Sequence, residues 1–100
     1  MGASLNNLAL LYKSMGNYGA ALPLYLQALA IAEKAQGPEH PSTATRLNNL
    51  AGLYAATGEY DAALPLYKRA LVVMEKALGP EHPNSINCRA NLAILQAKMK

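Results

Sequence analysis

The chain has 100 residues, of which 52% are hydrophobic and 15% charged, so it is the length of one domain and has enough apolar side chains to bury a core rather than stay disordered. No stretch approaches the roughly 18 unbroken apolar residues of a membrane helix, and the start MGASLNNLALLY lacks the basic flank of a signal peptide. The expectation is a soluble, cytoplasmic protein with no membrane partner.

The net charge of +3 is unevenly spread. In residues 1–42, Lys13 and Lys34 cancel Glu33 and Glu39; in 43–84, Arg46, Lys68, Arg69 and Lys76 cancel Glu59, Asp61, Glu75 and Glu81. The excess is Arg89, Lys98 and Lys100, a basic end rather than a stripe, which argues against nucleic acid as a partner. The Met-Gly start lacks the Ser or Thr at the sixth position that myristoylation needs, because Asn6 stands there. A single cysteine, Cys88, excludes an internal disulfide, and with His40 and His82 it falls short of a zinc site. No metal and no cofactor are expected.

The sequence matches itself at an offset of 42 residues. Leu5-Asn6-Asn7-Leu8-Ala9 returns as Leu47-Asn48-Asn49-Leu50-Ala51. Ala20-Ala21-Leu22-Pro23-Leu24-Tyr25 returns as Ala62-Ala63-Leu64-Pro65-Leu66-Tyr67, and Gly37-Pro38-Glu39-His40-Pro41 as Gly79-Pro80-Glu81-His82-Pro83. The chain is read as one array with a first repeat over 1–42 and a second over 43–84. Residues 85–100 are then a partial third repeat or a capping helix.

Five helices are predicted, near 4–15, 18–36, 41–57, 60–78 and 83–99. In the first, Leu5, Leu8, Ala9 and Tyr12 follow the i, i+3, i+4, i+7 spacing of one apolar face. It lacks the opening turn of its counterpart 41–57, as if cut from a longer array or begun on an added Met1-Gly2. Gly16-Asn17 separates it from the second helix: glycine supplies a positive φ at a helix end and Asn17 a cap. The second helix carries Tyr18, Ala21, Tyr25, Ala28 and Ala32 on one side, and Pro23 inside it, like Pro65 in the fourth, predicts a slight bend. Gly-Pro-Glu-His-Pro then ends it, and Pro41 suits the first turn of its successor. His40 and His82 fall in these turns, where a cap or turn hydrogen bond is the expectation.

In the fifth helix Arg89 replaces Leu5 and Leu47, and Gln96 replaces Tyr12 and Tyr54. Two readings are open: a solvating end to the array, or a truncated copy that lacks its partner helix. Cys88 matches Arg46 and Ser4, a position that looks tolerant and gives a bland thiol. All six tyrosines occupy repeat positions and are read as core packing, since no Phe or Trp is present. Nucleophile, base and orienter do not recur at usable spacing, so the chain is not read as an enzyme.

The pattern Leu5-x2-Leu8-Ala9-x2-Tyr12, followed by Ala21-x3-Tyr25-x2-Ala28, resembles the tetratricopeptide repeat, with Leu and Ala where that family often has Trp and Gly. The 42-residue unit with its Gly-Pro-Glu-His-Pro turn is similar to the repeats of kinesin light chains and of bacterial signalling arrays. The resemblance implies an all-α solenoid: stacked antiparallel hairpins in a right-handed superhelix, non-enzymatic, holding an extended peptide along the first helix of each repeat.

On that helix Asn6, Asn7, Leu10 and Ser14 lie opposite the apolar face. The offset carries this set to Asn48, Asn49, Gly52 and Ala56, and then to Ala90, Asn91, Ile94 and Lys98. A row of carboxamides, Asn7, Asn49 and Asn91, has the donors and acceptors to satisfy an extended backbone without reading its side chains. Leu10 and Ile94 flank side-chain-free Gly52, leaving a dent for one partner side chain, and Lys13 and Lys98 favour acidic residues. The peptide-binding candidates are therefore Asn6, Asn7, Leu10, Lys13, Asn48, Asn49, Gly52, Asn91, Ile94 and Lys98. The bland alternatives are an asparagine pair bonded between neighbouring helices and lysines on a solvated face. The partner is a protein or peptide, with acidic character favoured. A second copy of the chain, joined through unfilled edges at 4–15 or 83–99 by homotypic stacking or as a domain-swapped dimer, is the structural alternative.

Overall fold

A computed structural model describes residues 2–99; the side chains of residues 2–4 and of Asn6 lie outside the described set. The chain forms α1 (Gly2–Ser14), α2 (Tyr18–Gln36), α3 (Pro41–Ala56), α4 (Tyr60–Leu78) and α5 (Pro83–Lys98). The predicted elements are all present. The first helix begins two residues earlier than its periodicity indicates, and α1, α3 and α5 each end one residue sooner.

The ends of these helices follow from local chemistry. Gly16 adopts φ 78° and Gly58 φ 84°, a region that a Cβ disfavours. This lets Gly16 N–H donate to Lys13 O at 3.0 Å and Asn17 N–H to Tyr12 O at 2.8 Å, closing α1 with the paired carbonyl bonds of a Schellman turn. The Asn17 side chain then accepts from Ala20 N at 3.4 Å, as expected of a cap. Glu59, its counterpart, makes no side-chain cap; it accepts from Thr57 Oγ1 at 3.1 Å instead.

At the corners between repeats, His40 Nδ1 accepts from Ser42 N at 3.0 Å and His82 Nδ1 from Asn84 N at 3.1 Å. The two imidazoles are helix caps, and each precedes a proline in the first turn. Helices α2 and α4 run unbroken through Pro23 and Pro65, both of which are exposed.

Helix α1 packs on α2 and α3 on α4 as hairpins, while α2 against α3 and α4 against α5 join the units. Helices α1, α3 and α5 form one layer and α2 and α4 the other, in a body of 36 × 32 × 19 Å. An ion pair links the second layer, Arg69 Nη2 to Glu33 Oε2 at 2.8 Å. The core is a chain of small and large residues in register: Ala9, Ala21, Tyr25, Ala44, Leu47, Ala51, Leu53, Ala63, Tyr67, Ala70 and Leu95 are buried. Alanines let the helices approach closely, and the tyrosine bodies fill the remaining space. Tyr12, Tyr18, Tyr54 and Tyr60 are partly buried against this cluster.

Two expectations are corrected. The spacing puts Leu8 on the apolar face of the first helix, yet it is 41% exposed where its counterpart Leu50 is 2% exposed. The difference lies in the neighbours: the first hairpin covers that side of α3, and none of the described helices covers that side of α1. Cys88 sits at no tolerant position, because it is fully buried. Its thiol donates to Tyr67 O at 3.6 Å, and burial pushes it up to about 11, with the nearby Glu75 charge adding to the effect. The thiol is bland because it is enclosed.

Candidate functional site

The layer of α1, α3 and α5 presents the predicted face. Between α3 and α5 lies a hollow of about 230 Å³ lined by Gly52, Ala55, Ala56, Tyr67, Asn91, Ile94, Leu95 and Lys98. Four of the sequence candidates meet there. Lys13 approaches from α1: a Cβ built on Gly52 would stand 3.3 Å from Lys13 Nζ and 3.5 Å from the Tyr67 hydroxyl. Four of the ten predicted residues, Gly52, Asn91, Ile94 and Lys98, thus line one depression, and Lys13 stands next to Gly52.

The other candidates are spread more widely. Asn7 is exposed on α1, and Leu10 is 40% exposed beside it. Asn49 is half-buried on α3 and engaged with a neighbour. Asn48 is half-buried on α3, and its Oδ1 is buried and accepts no hydrogen bond from the described residues. The side chain of Asn6 lies outside the described residues.

Tyr67 is the residue that sequence reasoning does not single out. Its body belongs to the core and it is 5% exposed, but its hydroxyl comes up beneath Gly52. Burial raises its pKa first, with the Cys88 thiol adding to the effect, so the phenol keeps its proton and remains a donor. The signal that points here is Gly52 itself, flanked along the repeat by Leu10 and Ile94.

Lysine supplies the charge of the depression. Lys98 also borders a second hollow of about 250 Å³ with Gly58, Tyr60, Asp61 and Met99, so Asp61 faces it from the far side. Among the described residues no carboxylate lines the first hollow. Among the described residues no three His, Cys, Asp or Glu side chains gather where they could hold a metal ion. None of the described helices is long and apolar enough to cross a membrane.

Comparison with known proteins agrees with this architecture. BtubC (BKLC) from P. vanneervenii superposes with a TM-score of 0.89 at 26% identity, over 98% of this chain and 39% of its own. A candidate kinesin light chain of Podosopora anserina with nearly identical TPR-like repeats gives 0.85 at 32% identity, over 96% of this chain and 46% of its own. A point variant of that same protein gives 0.85 at 30% identity, over 96% of this chain and 45% of its own. The chain therefore spans less than half the length of each of these proteins. The tetratricopeptide repeat pattern matches residues 1–71 and 47–100. With hairpins in phase, a small-residue core and a family match along its whole length, this chain belongs to the tetratricopeptide repeat family.

Proposed function

We propose that the chain is a non-enzymatic docking scaffold that holds an extended segment of a partner protein along α1, α3 and α5. The observation that carries this reading is the convergence of Gly52, Asn91, Ile94 and Lys98 on one hollow of about 230 Å³, with Lys13 Nζ close beside Gly52. The hollow offers a carboxamide for backbone groups, an apolar rim and the Lys98 ammonium, with the Lys13 ammonium beside Gly52, a combination suited to an acidic segment. Rim charge of this kind acts mainly on the association rate and weakens with salt.

Asn91→Ala and Ile94→Ala test the reading without opening the core, since Asn91 is half-buried and Ile94 exposed. In a pull-down or peptide-array comparison both variants are expected to lose the ligands that the unaltered chain retains. Equal binding by both variants would remove the groove from consideration.

A second reading is self-association. Leu8, Leu11 and Met15 are 41%, 55% and 68% exposed at one end of the stack, and Ile86 and Met99 are 47% and 38% exposed at the other. Light scattering over a concentration series separates the two. A strict monomer at high concentration removes self-association.

A further inference from the structure

One repeat position has three different occupants, and the middle one changes what the groove can recognise. Leu10, Gly52 and Ile94 are equivalent residues on α1, α3 and α5. Beneath Gly52 lies Tyr67, whose equivalent in the first unit, by the 42-residue offset, is Tyr25. The Tyr25 hydroxyl is sealed: it is buried and makes no hydrogen bond to the described residues. Gly52 brings no side chain to cover Tyr67, which lines the hollow, with its hydroxyl 3.5 Å from the place a Cβ would take. The glycine leaves uncovered a donor that the first repeat hides.

Around that donor stand Lys13 Nζ, 3.3 Å from the same Cβ position, and Asn91 and Lys98 across the hollow. Ala55, Ala56 and Leu95 complete an apolar wall. An apolar wall, an uncovered neutral donor, the lining Lys98 and the neighbouring Lys13, with no carboxylate among the described lining residues, fit an apolar stem that ends in an anionic acceptor. A hydrogen bond from a phenol to a charged acceptor is stronger than one to a neutral group and counts for more when water is excluded.

We propose that the Gly52 notch is the specificity socket of the groove. It seats one carboxylate-bearing side chain of the bound segment against the Tyr67 hydroxyl and so fixes the register in which that segment lies. This inference rests on the docking reading above and adds the residue pair that discriminates. Placing the donor at one repeat only gives an otherwise repetitive surface a unique point of reference.

Two variants address the socket. Tyr67→Phe removes only the hydroxyl and leaves the ring in the core. Gly52→Leu installs the residue that the first repeat already carries, and the atoms its Cβ meets are the mobile end of Lys13 and the phenol oxygen. The probe is a positional-scanning library of hexapeptides, acetylated and amidated so that carboxylates come only from side chains, read against the full chain and both variants. Circular dichroism confirms that each variant is folded.

The unaltered chain is expected to select Glu or Asp at one position. Each variant is expected to reduce that selection about tenfold, an effect of the size expected for a charged hydrogen bond, while preferences at other positions persist. Selection unchanged in Tyr67→Phe overturns the socket, whatever Gly52→Leu does. Loss of the acidic preference in Lys13→Ala and Lys98→Ala but not in Tyr67→Phe also overturns it, because diffuse attraction is then sufficient. If the unaltered chain selects no residue at any position, the docking reading itself fails and the socket with it.

Discussion

The Cys88 thiol donates to the main-chain carbonyl of Tyr67 at 3.6 Å, fastening α5 to α4 directly beside the hollow. The carbonyl belongs to a helix interior, so the thiol adds a weak bond to an acceptor already used by the helix. The enclosed sulfur also gives that junction a chemical signature that is easy to follow.

The first prediction concerns this sulfur. Burial, with the Glu75 charge adding to it, holds Cys88 up to about 11 against an ordinary value of 9.0. Between those values the unfolded chain gives up a proton that the folded chain keeps, so stability falls as pH rises from about 9 to about 11 and is independent of this group below 9. The loss is on the order of 2 kcal/mol. Tyr25 and Tyr67, both raised by burial, act in the same sense at higher pH. The Cys88 share is therefore the difference between the unaltered chain and Cys88→Ala in urea titrations at pH 8 and pH 10. At pH 8 a thiol reagent should react at the rate of unfolding rather than at the rate of an open cysteine.

A second prediction follows from the repeat offset. Leu8 and Leu50 are the same residue in successive units, 41% and 2% exposed. Leu50→Ala should cost about 2–5 kcal/mol, as for a buried leucine, and Leu8→Ala less than about 1 kcal/mol. Thermal or urea melts of the two variants check this. Equal losses would mean that the first hairpin does not cover α3 in solution.

The histidine caps supply a third. Replacing His82 by alanine removes the acceptor for Asn84 N–H and should cost about 1 kcal/mol. His82→Asn, which retains a side-chain acceptor at the cap, should recover most of it. Melting temperatures of the pair, with the same two substitutions at His40 as a replicate within one molecule, decide the matter.

Fourth, the pair between Arg69 and Glu33 has side chains 41% and 37% exposed. Its coupling in a double-mutant cycle should be below about 1 kcal/mol and shrink as salt rises. The ion pair between Arg89 and Glu75, 46% and 36% exposed at 2.8 Å, is expected to behave alike. A coupling that ignores salt would contradict the exposure of both.

Much of this fold is legible in the sequence because two copies of each element confirm one another. Gly16 with Asn17, and Gly37 through Pro41, mark the same boundaries as Gly58 with Glu59 and Gly79 through Pro83. Burial is harder to read where it depends on a neighbour rather than on the helix itself. The face carrying Leu5, Leu8, Ala9 and Tyr12 is apolar by spacing, but spacing does not say what lies against Leu8. Cys88 looks tolerant because its counterparts Arg46 and Ser4 are polar, whereas α5 buries this position against α4. The groove residues can be inferred from the opposite helix face, Gly52 most usefully. The Tyr67 hydroxyl cannot, because a tyrosine counted as core for its ring gives no indication of where its oxygen emerges.

The two corner glycines have nearly the same geometry: Gly37 at φ 90°, ψ 163° and Gly79 at φ 94°, ψ 152°. Each donates its N–H to the carbonyl of a glutamate four residues back, at 3.0 Å in both. Backbone of this kind is essentially reserved for glycine. The pivot is thus a standardised part, repeated at both corners between units. A side chain at Gly79 would strain the corner from which α5 departs, so the placing of α5 beside α3, and with it the width between the groove walls, depends on one residue outside the groove.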